Sequence, residues 1–131
     1  LELGEGTCIS ARVLVPKFQN FFAIDLSFQM LQNVVEAAPP LVCADGSSLP
    51  LSDGVVDVLI LQNMFLFPNE VSRCISEKGC LVWVNSRGSG TPIYLPVEKV
   101  VQSLETATGY AWNAVCSTMG EATWAVIRRE L

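Results

Sequence analysis

Asp53-Gly54-Val55-Val56-Asp57-Val58-Leu59-Ile60-Leu61 is the stretch on which the fold turns. A turn dipeptide opens it, and an almost continuous apolar run from Val55 to Leu61 follows. A strand with one wet face alternates apolar and polar residues. A strand covered on both faces does not, and such strands belong to parallel sheets flanked by helices. Working outward, Cys80–Asn85 (CLVWVN) reads as a second buried strand, and Phe21–Leu26 (FFAIDL) as a third that ends at an acid. Leu41–Ala44 is a short strand before the turn Asp45-Gly46-Ser47-Ser48. Leu1–Gly4 reads as the tail of another strand running into a Gly-rich turn.

Helices fall between these strands. Thr7 can cap one that carries Ile9, Val13 and Leu14 and ends near Pro16. Ser27 can cap another through Phe28, Leu31, Val34 and Val35, stopped at Ala38-Pro39-Pro40. Glu70–Ser76 is a short helix closed by Lys78-Gly79. Val97, Val100, Val101 and Leu104 share one face of a helix over 97–108, closed by Gly109. Tyr110–Cys116 and Thr123–Arg129 read as a hairpin about Met119-Gly120. Alternating strands and helices imply an α/β fold with a mostly parallel sheet, and the hairpin adds an antiparallel strand. The 131 residues are one domain's worth.

Composition narrows the function. Thirteen acids against eight bases give a net charge of −5, and Arg128-Arg129 is the only adjacent pair of bases. A nucleic-acid backbone is therefore not the expected partner. The chain has no histidine, which removes the Ser-His-Asp triad and nearly all catalytic zinc sites; no metal site is expected. Five cysteines at 8, 43, 74, 80 and 116 include no Cys-x-x-Cys and read as reduced core residues. Trp83, Trp112 and Trp124 alternate with apolar neighbours in the expected strands and are expected in the core. No apolar run approaches a membrane span, and the opening Leu1-Glu2-Leu3-Gly4 has no basic leader, so a soluble cytoplasmic protein is expected.

In parallel α/β sheets ligands bind beyond the carboxyl ends of the strands. Gly4-Glu5-Gly6, Asp25, Asp45-Gly46, Gln62-Asn63 and Asn85-Ser86 all lie there. Glycines at 4 and 6 permit a tight turn and close approach of a ligand. Asp25, twenty-one residues after Gly4, can accept hydrogen bonds from both ribose hydroxyls or can cap the following helix. The loop from Ser86 to Tyr94 is either an acceptor contact or a plain connection.

The run from Ala44 to Val58, with Asp45, Leu49-Pro50-Leu51 and Val56-Asp57-Val58, resembles that of class I S-adenosylmethionine-dependent methyltransferases of the small type 11 sort. Glu2-x-Gly4-x-Gly6 resembles their first motif. Ile24-Asp25-Leu26-Ser27 with Met30-Leu31 resembles the second, and Glu77-Lys78-Gly79-Cys80-Leu81-Val82 their "L-x-P-G-G-x-L-x". The chain departs from the pattern at Glu5, at Cys8 in place of the third glycine, and at Lys78-Gly79-Cys80.

The resemblance implies a Rossmann-like three-layer α/β/α sandwich in one domain over 1–131, with seven strands in the order 3-2-1-4-5-7-6. It implies S-adenosylmethionine as cofactor; the family as a whole methylates small metabolites, lipids, proteins and RNA, and the acceptor expected here is an unidentified small molecule. Gly4 and Gly6 would pass beneath the methionine part and Glu2 would help to place its ammonium group. Asp25 would hold the ribose and Leu26 would lie against the adenine. Asp45 would accept from the adenine amino group and the Gly46 amide would donate to a ring nitrogen. Leu61 and Gln62 would lie beside the methionine segment.

The resemblance also leads us to expect helices before Leu1, with the chain a fragment that is slow or inactive alone. No catalytic residue is assigned. Without histidine, acid–base work would fall to carboxylates, Tyr94, Tyr110 or a lysine, and the resemblance sets Glu5 nearest the sulfonium. Two rivals remain. One is a nicotinamide-dependent oxidoreductase, whose G-x-G-x-x-G would need glycine where Ile9 stands. The other is a methyltransferase-like binding or scaffold module without catalysis, motivated by Glu5 and Cys8.

Overall fold

The structure, a computed structural model, describes residues 1–4, 11–33 and 39–131. The chain divides into two compact units, Leu1–Pro50 and Leu51–Leu131. The expected cap at Thr7, and Glu5, Gly6 and Cys8, lie outside the described residues, as does the second half of the helix expected after Ser27.

The first unit holds β1 (Glu2–Leu3), α1 (Ala11–Leu14), a 3-10 turn (Val15–Lys17), β2 (Ala23–Asp25), α2 (Phe28–Gln32) and β3 (Leu41–Cys43). Its three strands are parallel in the order β3-β2-β1, with Leu3 level with Ile24 and Asp25 level with Cys43. Leu3, Ala23 and Ile24 are buried, as a short parallel strand without alternation requires. Pro16 ends α1 by tightening its last turn into the 3-10 form. The Ser27 Oγ accepts from the Met30 N–H at 3.3 Å and caps α2, as expected.

The second unit holds β4 (Val56–Gln62), α3 (Pro68–Cys74), β5 (Ile75–Asn85), a 3-10 turn (Gly88–Gly90), α4 (Val97–Thr108), β6 (Trp112–Met119) and β7 (Ala122–Arg129). The order is β4-β5-β7-β6, with β4 and β5 parallel and β7 antiparallel to both β5 and β6. Within each unit the order is the one the resemblance implies. Leu59, Leu61, Leu81, Trp83, Ala125 and Ile127 form the buried centre. Helix α4 buries Val100 and Leu104, and Gly109 ends it at φ 70, a left-handed cap open to glycine at no cost.

Three expectations need correction. Lys78-Gly79 does not end a helix: β5 runs unbroken from Ile75, and the helix before it starts earlier, at Pro68. Proline favours the first helical turn, where no N–H is needed. Val56 pairs with Ile75 but Val58 with Cys80, so β5 carries extra residues across a bulge. Gly79 sits in that bulge. A Cβ there would stand 2.8 Å from the Val56 carbonyl oxygen and 2.9 Å from that of Asp57. Only glycine lets the strands close at this point.

Trp83 and Trp112 are buried, but Trp124 is 37% exposed. It pairs with Val84 while its neighbour Ala125 pairs with Trp83, so the two tryptophans point to opposite faces. Val115 and Met119, on the Trp124 face by the same alternation, are exposed as well. Among the cysteines, Cys74 and Cys80 are buried as expected, whereas Cys43 and Cys116 are exposed; all four are free thiols.

Candidate functional site

In the first unit the carboxyl ends of three adjacent strands come level. Beyond β1, Gly4 stands at φ 69, and its N–H donates to the Ile24 carbonyl at 2.8 Å. That conformation is costly for any residue with a Cβ, so the turn after β1 requires its glycine. Glu2, on β1 itself, is buried, with 1% exposure.

Asp25 is the last residue of β2, and its Oδ1 accepts the Ser27 N–H at 2.7 Å. The helix-side role considered for this acid is therefore present in the structure. Leu26 follows with 69% of its surface exposed, an apolar side chain in solvent immediately beside a carboxylate.

Asp45 lies two residues past β3. Its Oδ1 accepts from the Ser47 N–H at 2.8 Å and from the Ser47 hydroxyl at 2.7 Å. The backbone bond first and the hydroxyl second hold the carboxyl below the usual aspartate range. Among the described residues its Oδ2 takes no hydrogen bond. An ionised, oriented carboxylate with an unused oxygen is an acceptor for an exocyclic amine. Gly46 is buried in the turn, which the Ser48 N–H closes on the Asp45 carbonyl at 3.1 Å. Gly4, Asp25, Leu26, Asp45 and Gly46 thus share one edge of this unit, while Gly6 lies outside the described residues.

In the second unit Leu61 is buried and Gln62 is half-buried, at the carboxyl end of β4. The residue after them does more than its place at a strand end shows. Asn63 adopts φ 51, and its N–H donates to the Val84 carbonyl at 2.9 Å. Its Nδ2 donates to the Ser86 Oγ at 2.7 Å, and its Oδ1 accepts the Ser86 N–H at 2.8 Å. Asparagine tolerates the left-handed region better than most residues, which is the one local signal for this arrangement.

Past this junction the unit contains a cavity of about 290 Å³, lined among others by Met64, Phe65, Leu66, Trp83, Tyr94 and Ser103. Tyr94, from the loop that follows β5, is in its wall. Tyr110 is engaged elsewhere: the Arg129 guanidinium lies 4.7 Å from its ring centre and 5.4 Å from that of Trp112. Among the described residues no group of three acids or cysteines could hold a metal ion. No helix among them is long and apolar enough to cross a membrane.

Residues 1–78 match the family described as a methyltransferase domain, of type 11. The chain belongs to that family. The fold agrees with the assignment. A SAM-dependent methyltransferase from Aquifex aeolicus superposes with a TM-score of 0.76 at 16% identity, over 98% of this chain and 79% of that one. An S-adenosylmethionine-dependent methyltransferase from Clostridium acetobutylicum gives 0.68 at 15%, over 97% and 82%. The cyclase SpnF gives 0.66 at 19%, over 87% of this chain and 52% of that chain. At such identities the likeness is one of fold: Rossmann-like α/β, mostly parallel, with an antiparallel end to its seven strands. No curated relative matches the sequence.

Proposed function

We propose that this methyltransferase domain, spanning Leu1–Leu131, binds S-adenosylmethionine and transfers its methyl group to a small-molecule acceptor in the cytoplasm. The observation that carries the reading is the edge of the first unit, where a positive-φ glycine, two carboxylates and an exposed leucine end three neighbouring strands. These groups suit a nucleoside. Asp25 takes the ribose hydroxyls. The unused oxygen of Asp45 accepts the adenine amino group and the Gly46 N–H donates to the ring. Leu26 covers the purine face, which explains an apolar side chain left in water. Gly4 and Gly6 make room for the methionine part and Glu2 orients its ammonium group. The family resemblance adds Leu61 and Gln62 beside the methionine segment.

When bound, the cofactor supplies an electrophilic methyl group on a sulfonium. The protein's share is to hold the donor in line with the acceptor and to keep water away; alignment of this kind contributes several kcal/mol of the barrier, of order ~7–11 at best. No side chain is assigned as general base. Titration calorimetry with S-adenosylhomocysteine tests the reading. The chain should bind it and should not bind a nicotinamide dinucleotide. Preference for the dinucleotide would favour an oxidoreductase, and binding of neither would favour a module without catalysis.

A further inference from the structure

Strand β6 ends the second unit's sheet, and among the described residues no strand pairs with its outer side. Its residues, Trp112–Met119, include no charge and no proline, and their register with β7 runs from Trp112–Arg129 to Met119–Ala122 without a bulge. Natural edge strands are usually guarded by such features, because a bare edge recruits another strand. Two hydrogen bonds set the phase of this edge. The Glu130 N–H donates to the Ala111 carbonyl at 2.9 Å, so the odd-numbered residues of β6 turn their backbone groups toward β7. The Trp112 N–H instead donates to the Glu105 Oε1 at 3.4 Å, so the backbone groups of the even-numbered residues face outward. Glu105 covers one end of the edge. The N–H and C=O groups of Ala114, Cys116 and Thr118 remain open, with the Trp112 carbonyl.

We infer that a second copy of this chain pairs with β6, antiparallel about a two-fold axis at Val115, so that the sheet continues from one copy into the other. Under this axis Ala114 of one copy exchanges both backbone bonds with Cys116 of the other. The Thr118 N–H of each copy reaches the Trp112 carbonyl of the other, and Glu105 keeps its place. The side chains match as well. Val115, 65% exposed, meets its own image, and Met119, 79% exposed, comes level with Ala111 of the other copy. Asn113 comes level with Ser117, so apolar faces apolar and polar faces polar. Moving the axis by one residue either way would set Val115 against Ser117 or Asn113. Each copy carries a net charge of −5, but the strand itself is neutral, so the pairing sets no like charges opposite one another. One strand edge covers less than the ~1,200–2,000 Å² of a standard interface, so the pair should come apart on dilution in the micromolar range.

Sedimentation equilibrium of the full chain should show a dimer that dissociates on dilution. Val115→Cys in a Cys116→Ser background should form an intermolecular disulfide under mild oxidation. Facing residues that share no hydrogen bond stand about 4.5 Å apart between Cα atoms, within reach of a disulfide. Peptide mapping should place the bridge between the two substituted positions. Cys116→Pro removes an outward N–H and spares the bonds to β7, a position where an edge strand accepts proline. It should weaken dimerisation at least tenfold and leave the circular dichroism unchanged. Val115→Lys, at an exposed position, sets two like charges face to face and should do the same, so the test stands if the proline variant misfolds. A monomer at every concentration would overturn the second copy as occupant and leave the edge to an extended segment of another protein. A dimer indifferent to both substitutions, or one that forms no bridge at the substituted position, would overturn the pairing.

Discussion

Asn63 and Ser86 exchange two hydrogen bonds, 2.7 and 2.8 Å long, across the carboxyl ends of β4 and β5. The parallel pair Gln62–Val84 is the last rung of the ladder, and this exchange extends it past the point where the strands end. It fixes where the chain leaves both strands, hence where Met64, Phe65 and the loop to Tyr94 begin.

Asn63→Gly keeps the left-handed backbone at no steric cost but removes both side-chain bonds. At about 0.5–1.5 kcal/mol for each bond, it should lower stability by about 1–3 kcal/mol. Asn63→Ala should cost about 1 kcal/mol more, because alanine resists φ 51. Urea unfolding checks both. Equal stability of the two variants would show that the backbone relaxes and that the positive φ is not enforced.

Gly79→Ala should destabilise by about 1–3 kcal/mol, the usual cost of forcing an extra methyl into a packed site. Its Cβ would meet the Val56 and Asp57 carbonyl oxygens, which belong to backbone and cannot swing aside. Gly120→Ala, where a Cβ meets nothing within 4 Å but φ is 60, should show the conformational cost alone. A Gly79→Ala variant as stable as the parent would mean the bulge is wrongly placed.

The thiols should separate into two classes. Cys43 and Cys116 are exposed and should react with a disulfide reagent in the native protein. Cys74 and Cys80 are buried, and burial raises both their pKa values, so the unreactive thiol form persists. The sign for stability follows from that shift. A thiol raised in the fold adds stability that is fully present below its unfolded value and fades as pH rises through the folded one. Peptide mapping after native labelling reads the outcome. Modification of Cys74 or Cys80 before unfolding would contradict the packing.

Asp45 should titrate below the ordinary aspartate value of 3.8 in an NMR pH series. A lowered carboxyl is stabilised in its ionised form, so the effect is complete above the unfolded value and is lost as pH falls through the folded one. Ser47→Ala should raise the midpoint in part only, because the larger contribution, from the Ser47 N–H, survives. A midpoint above 3.8 in the native protein would remove the fixed, ionised acceptor from the proposed site.

How far the sequence could be read depended on where each residue's partners lie. Val55–Leu61, the helix ended by Gly109 and the closing hairpin were legible because pattern and punctuation are local. The strand-end positions of Gly4, Asp25 and Asp45 were legible for the same reason. The Asn63–Ser86 exchange joins residues 23 apart, and the need for glycine at position 79 comes from carbonyls on another strand. Neither leaves a periodic trace. Trp124 misled because alternation tells which residues share a face, and not which face is covered. The chain's cysteines misled in the same way: type favours burial, but Cys43 and Cys116 stand on exposed positions of their strands.

In the proposed site Asp25 anchors the ribose of the cofactor, and titration of S-adenosylhomocysteine into Asp25→Asn is the sharpest check of that role. Asparagine retains an oxygen for the Ser27 N–H, so the turn into α2 is kept while the charge is lost. Affinity should fall by about 1.5–3 kcal/mol, the worth of hydrogen bonds to a charged group, with the melting temperature little changed. Binding equal to that of the parent chain would contradict the account and move the cofactor away from the end of β2.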